Sequence, residues 1–220
     1  MRLFRKKTSE THGWIGHFNL SEWWFSAFTD AERDYIENVY APIGGSSSGG
    51  LSQEKGTLTN GKFLGTSQTV SGFLSSLSTW FRKTEQDRDI ARRILAKSVE
   101  VSDPSKDILG LHFTYSALVE VWYRDRETLL NARDEAILAC KKQIQIALQA
   151  AQQFRREYPN NPLPSHVGYT QLTIIYDKED RLDEAIQIAQ QAQEQGWNGD
   201  WDNRIERYRK KRAKQTNSKS

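Results

Sequence analysis

Cysteine is nearly absent from these 220 residues: Cys140 stands alone. An internal disulfide is therefore excluded, and a reducing compartment, the cytoplasm, is the expected location. Histidine is scarce too, with four in all. His12 and His17 lie five apart with no cysteine nearby, and His112 and His166 are isolated, so no metal-ligand spacing is present and no metal or other cofactor is expected. No run approaches the roughly 18 apolar residues of a membrane span. The basic start, MRLFRKKTSE, is followed by no apolar core of a secretory leader. Apolar residues make up only 37% of the chain, partly offset by 11% aromatics. That balance fits thin helical layers with much surface better than a compact α/β enzyme.

Charge is unevenly spread. Of 31 basic and 28 acidic residues, residues 1–7 hold four basic and no acidic ones, and residues 204–220 hold eight basic residues against Glu206 alone. The body between keeps 19 basic and 27 acidic residues, a net of −8 beside basic ends. An acidic body argues against a broad nucleic-acid groove. Only the C-terminal tail, with Arg204, Arg207, Arg209, Lys210, Lys211, Arg212 and Lys214, is suited to weak phosphate contact, and a solvated helix end explains the same residues.

The chain divides by composition into four parts. Residues 1–43 carry the basic start and an aromatic unit with Trp14, Trp23, Trp24, Phe25 and Phe28, which reads as a small helical core rather than a ligand-stacking cluster. Thr29-Asp30-Ala31-Glu32 is a capping box that opens a helix with Ala31, Tyr35, Ile36, Val39 and Tyr40 on one face. Residues 44–62 are a Gly/Ser-rich linker or loop; no strand precedes the glycines and no Lys-Ser/Thr pair follows them, so a phosphate-binding loop is not expected. Residues 63–203 are helical pairs, and 204–220 are the basic tail.

Within the helical part, Phe73, Leu74, Leu77, Trp80 and Phe81 fall at helical spacing, and Thr84 with Asp87 caps a helix striped by Ile90, Ala91, Ile94, Leu95 and Val99. Ser102 or Asp103 is expected to cap the next helix, ahead of Leu111, Tyr115, Leu118, Val119 and Trp122. A long run to Tyr158 follows, with Ile137, Cys140, Ile144, Leu148, Ala151 and Phe154 on one face. Cys140 on that face is expected to be a small buried hydrophobe. No nucleophile elbow of the G-x-S-x-G type and no catalytic residue are expected.

The stretch 167–197 is the most regular. Tyr169, Leu172 and Tyr176 share one helical face, and Ala185, Ile186, Ala189 and Ala192 share another, across a polar turn with Asp180 as expected N-cap. Gly196 suits the left-handed end of the second helix. After it, Trp201, Ile205 and Tyr208 mark a final helix that covers the open end of the stack. The spacing Tyr169-x2-Leu172-Thr173-x2-Tyr176, then Ala185-x3-Ala189, resembles the tetratricopeptide repeat. Tyrosine, threonine, alanine and Trp197 stand where that family has tryptophan, glycine, an aromatic and proline. Residues 147–159, Ala147-x3-Ala151-x2-Phe154-x4-Pro159, are similar to the second half of a repeat.

The resemblance implies an all-α fold of stacked antiparallel helix pairs, and a non-enzymatic scaffold or adaptor holding a partner protein or peptide in its groove. It places Thr170, Ile174, Asp177 and Lys178, the residues of the first helix not used in packing, in contact with that partner. Two other readings stand beside it: a nucleic-acid-associated accessory protein using the basic ends, and a helical enzyme with a site between the aromatic unit and the repeats.

Overall fold

The computed structural model describes residues 11–45, 51–53, 56–60 and 66–217. Among these the chain is helical apart from one pair of three-residue strands, and it divides into two compact units that meet at Val70.

The first unit holds α1 (Gly13–His17), α2 (Ser21–Ala27) and α3 (Asp30–Val39). Its core is Ile15, Leu20, Trp24, Phe28, Ile36, Tyr40 and Leu58. Trp23 and Trp24 pack on Phe28 with ring centroids 5.4 and 5.3 Å away; Trp24 and Phe28 are core, whereas Trp14 and Trp23 are half-buried. The Thr29–Glu32 capping box forms: the Thr29 hydroxyl accepts from Glu32 N–H at 3.3 Å, and the Glu32 carboxylate accepts from Thr29 N–H at 2.8 Å. On α3 the buried residues are Ile36 and then Tyr40, whereas Ala31 is exposed.

Two parts of the Gly/Ser-rich stretch are ordered against something. Strands β1 (Ile43–Gly45) and β2 (Leu51–Gln53) pair antiparallel, Ile43 opposite Gln53. Residues 57–59 then bind the start of α1: His12, Trp14 and Ile15 N–H donate to the carbonyls of Thr59, Thr57 and Leu58. That approach requires Gly13, whose φ is +55° and where a Cβ would lie 2.3 Å from the Thr57 carbonyl oxygen. Most of the remainder of 44–62 lies outside the described residues.

The second unit holds α4 (Val70–Ser78), α5 (Glu85–Glu100), α6 (Ile108–Arg124), α7 (Ala132–Gln145), α8 (Ala147–Glu157), α9 (Val167–Lys178), α10 (Leu182–Glu194) and α11 (Trp201–Asn217). Packing follows chain order: α5 on α6, α6 on α7, α7 on α9, α9 on α10 and α10 on α11. The α9–α10 hairpin buries Tyr169, Leu172, Tyr176, Ala185, Ala189 and Ala192, the set read from its spacing. Alanines on α10 let its backbone approach α9, and the tyrosines fill the space between.

Several local expectations shift. Asp107, not Ser102 or Asp103, caps α6, accepting from Gly110 N–H at 2.7 Å; Asp103 instead closes a separate turn through Ser105. Asp180 is not the N-cap of α10; Arg181 holds that place, and Asp180 takes a left-handed φ of 56° in the turn. The long run to Tyr158 breaks at Ile146. Its buried face is Ala136, Ala139, Cys140, Gln143, Ala147, Ala150, Ala151 and Phe154, leaving Leu148 exposed and Ile137 and Ile144 half-buried. Gln143 is drawn inward because its amide is fully used there. Its Nε2 donates to the His112 carbonyl at 3.1 Å, and its Oε1 accepts from Gly168 N–H at 2.6 Å. The basic tail continues as helix to Asn217.

Candidate interaction surface

The first determinant of the surface is what is locked beneath it. Asp125, in the turn after α6, is 1% exposed and accepts from Arg88 Nε at 2.7 Å and Arg92 Nη1 at 2.6 Å, both on α5. Burial alone would raise its pKa; the two guanidinium hydrogen bonds outweigh that and hold the carboxyl below its usual range. Arg92 also lies over the Trp122 ring, 4.7 Å from its centroid. One carboxylate thus fixes the α5–α6 spacing and the orientation of Trp122.

A second buried polar cluster joins α6, α7 and α9. His112 stacks parallel on Trp197 at 5.3 Å, and His166 meets the same ring edge-on at 4.6 Å. His166 Nδ1 accepts from Tyr169 N–H, capping α9. Burial pushes the His112 pKa down to about 4; burial and then the neighbouring His112 push His166 down to about 3. Both are neutral at pH 7. Cys140, buried, has its thiol pushed up to about 12, which removes the thiolate a nucleophile would need.

On this frame two grooves repeat. The first, about 340 Å³, has Tyr115, Leu118 and Trp122 of α6 as its floor. Ala96 and Val99 of α5 form one wall, and Leu138 and Ala139 of α7 the other. Arg92, Glu135 and Lys142 edge it. The second, about 380 Å³, has Leu172 and Tyr176 of α9 as its floor, between Ile144 and Leu148 on one side and Ile188 and Gln191 on the other. The first floor comes from α6 with walls from α5 and α7, and the second from α9 with walls from the α7–α8 junction and α10. Small alanines in the first groove leave the space open. Leu138 and Leu148 stand 50% and 53% exposed at the two sites, which is a standing cost in water.

The four residues expected to meet a partner are distributed differently. Thr170 and Ile174 are half-buried on α9 and line neither groove. Asp177 is taken by α11: Lys211 Nζ donates to its carbonyl at 2.9 Å and its carboxylate at 3.0 Å. Lys178 is exposed and enters a smaller cavity beside Tyr123. The groove residues of α9 are instead Leu172 and Tyr176, which the repeat spacing assigned to the core.

The basic helix is anchored through part of its charge. Besides Asp177, Lys211 meets Asp180 at 2.8 Å, Arg212 pairs with Asp183, and Gln215 donates to Asp180. Its apolar face, Trp201, Ile205 and Tyr208, is buried.

Among the described residues no three His, Cys, Asp or Glu side chains converge on a point. The letters from Gly45 to Gly49 spell G-x-S-x-G, but this string joins β1 to β2, whereas a nucleophile elbow joins a strand to a helix; the serines lie outside the described residues. No helix is long and apolar enough to cross a membrane, among the described residues. Compared with known protein families, curated proteins and solved structures, the chain matches none of them. The fold therefore defines the class only coarsely: an all-helical protein whose second unit is built by helix-on-helix packing.

Proposed function

We propose that this chain is a non-enzymatic interaction scaffold, tetratricopeptide-like in its second unit, that seats an amphipathic partner helix in the α5–α6–α7 groove. The observation that carries this reading is an open apolar floor with ordered spacing. Tyr115, Leu118 and Trp122 recur at three and four residues, the ridge pattern that a second helix packs against. The rim supplies register. Glu135 and Lys142 lie two helical turns apart on α7, and neither makes an ion pair among the described residues. A partner helix with a base facing Glu135 and an acid facing Lys142 is complementary to it.

The test is capture from source lysate by wild type, Leu138→Asp and Ile174→Asp in parallel. Leu138→Asp is expected to weaken capture at least tenfold, in line with the roughly 1.5–3 kcal/mol of a buried leucine. Its melting temperature should stay unchanged, because the side chain is already half in water. A partner lost only with Ile174→Asp returns the site to the outer face of α9. A partner retained by both variants overturns the groove reading.

A second reading is supported by a shallow cleft on α11 edged by Arg207, Lys210, Lys211 and Lys214 against Glu206. It makes the basic helix a sequence-independent phosphate contact. Cutting the chain at 203 cannot test this, since Ile205 and Tyr208 are core. Charge reversal of Arg207 and Lys214, which leaves the Lys211 and Arg212 ion pairs in place, is expected to reduce nucleic-acid binding and lower its salt slope by about 2, one per lost contact. An unchanged slope in an anisotropy titration removes the reading.

A further inference from the structure

The cavity that receives Lys178 is a different kind of site from the grooves. Three elements meet there: the end of α6 with Tyr123, the turn after it with Arg126 and Glu127, and the first turn of α7 with Arg133. The last turn of α9 closes it with Ile175 and Lys178. Its volume is about 210 Å³. Three cations line it against one acid.

Two of the cations are held by Tyr123, and the third, Arg133, is held by Glu179. Arg126 stacks on the ring at 4.3 Å from its centroid, and its Nη1 donates to the Tyr123 carbonyl at 2.9 Å. Lys178 Nζ is 3.4 Å from the Tyr123 hydroxyl, and among the described residues it has no carboxylate partner. Arg133 pairs with Glu179, and Glu127 lies 3.1 Å from Arg126 Nε. Helix-end electrostatics account for Arg126, which satisfies a carbonyl at the end of α6. Arg133, at the start of α7 where the dipole disfavours a cation, is accounted for by its ion pair with Glu179. Helix-end electrostatics do not account for an ammonium donating to a neutral phenol instead of a carboxylate.

The geometry points to a binding site for a phosphomonoester, with Lys178 and Arg126 as the charged donors, the Tyr123 hydroxyl as a third, and buried Ile175 as the apolar base. One guanidinium held in place by Tyr123, one ammonium and a phenol hydroxyl suit a doubly charged, many-acceptor anion. The size is below the about 300–1,000 Å³ of pockets for whole drug-sized ligands. The site therefore takes a phosphoryl group with its first few carbons. That group arrives either as a phosphorylated side chain of a peptide or as a small free phosphate ester. The inference does not depend on the α5–α6–α7 groove.

The experiment is titration of the full chain with inorganic phosphate, O-phosphoserine, glycerol 3-phosphate and a ten-residue phosphoserine peptide, read by ³¹P NMR and calorimetry at fixed ionic strength. Saturable binding is expected, weakened about tenfold or more by Lys178→Gln and likewise by Arg126→Gln, the loss of one charge-assisted hydrogen bond each. Both residues lie at the surface, and matching melting curves exclude misfolding as the cause. Tighter binding of the peptide than of free O-phosphoserine assigns the ligand to a partner protein; equal binding, with glycerol 3-phosphate as good, assigns it to a small ester. Absence of saturable binding, or binding indifferent to both substitutions, overturns the site.

Discussion

Replacing Asp125 with alanine is expected to destabilise the second unit by about 3–5 kcal/mol, the cost of leaving buried cations without their counter-charge. For a unit of this size that is a fall in melting temperature of roughly 10 °C. The reason is geometric. Asp125 is the one carboxylate that both Arg88 and Arg92 share, and removing it leaves Arg92 with only Asp89 at 3.8 Å and Arg88 with no paired carboxylate among the described residues. The complementary variant separates charge pairing from packing. Arg88→Met with Arg92→Met and Asp125→Leu should recover most of the loss, because a hydrophobic replacement of a buried ion cluster is often neutral or better. Urea unfolding followed by tryptophan fluorescence measures both. A loss below about 1 kcal/mol for Asp125→Ala, the range of a surface ion pair, contradicts the assignment.

Mild acid is the second large effect. His112 and His166 are neutral in the folded chain, with pKa values near 4 and 3, but titrate near 6.5 when unfolded. Between those values the unfolded chain binds protons that the folded one does not, so acid favours unfolding. Stability is complete above pH 6.5 and falls as pH drops towards 4. The slope reaches about 1.4 kcal/mol per pH unit for each histidine. Gln143, Trp197, Phe154 and Tyr169 face the pair, and among the described residues no carboxylate is hydrogen-bonded to either ring. The loss from Asp125 belongs to a lower window, since a lowered carboxyl pKa gives up its stability only below about 4. His112→Phe keeps the ring stacked on Trp197 and should halve the slope between pH 6 and 5. A wild-type slope near zero in that window excludes neutral burial of the pair.

The parts of the fold legible in the sequence are those set by local spacing. The Thr29–Glu32 and Thr84–Asp87 capping boxes, the α9–α10 hairpin and Gly196 at φ +80° all depend on residues within a few positions of one another. What escaped depends on distant partners. His112 and His166 look isolated because 54 positions separate them, yet they share Trp197. Gln143 carries no local signal of burial; its place depends on two distant backbone partners, His112 and Gly168. The repeat spacing reports which residues of α9 and α10 pack on each other, and carries no signal for the groove over α6 that α5 and α7 wall. Leu138 and Lys142 carry no periodic signature of their own. Of the four residues expected on α9 to meet a partner, Asp177 was beyond reach, because its partner Lys211 sits on a helix that the charge pattern presents as a solvated basic tail.

The α5–α6–α7 groove is the proposed contact surface of the protein. A photo-reactive benzoylphenylalanine placed at Leu138, with Asp103 in the exposed turn before α6 as control, tests it in source lysate. The prediction is a discrete adduct at 138 whose cross-linked peptide is an amphipathic helix bearing an acid and a base about two turns apart, and none at 103. No adduct at 138, or the same adducts at both positions, would contradict it.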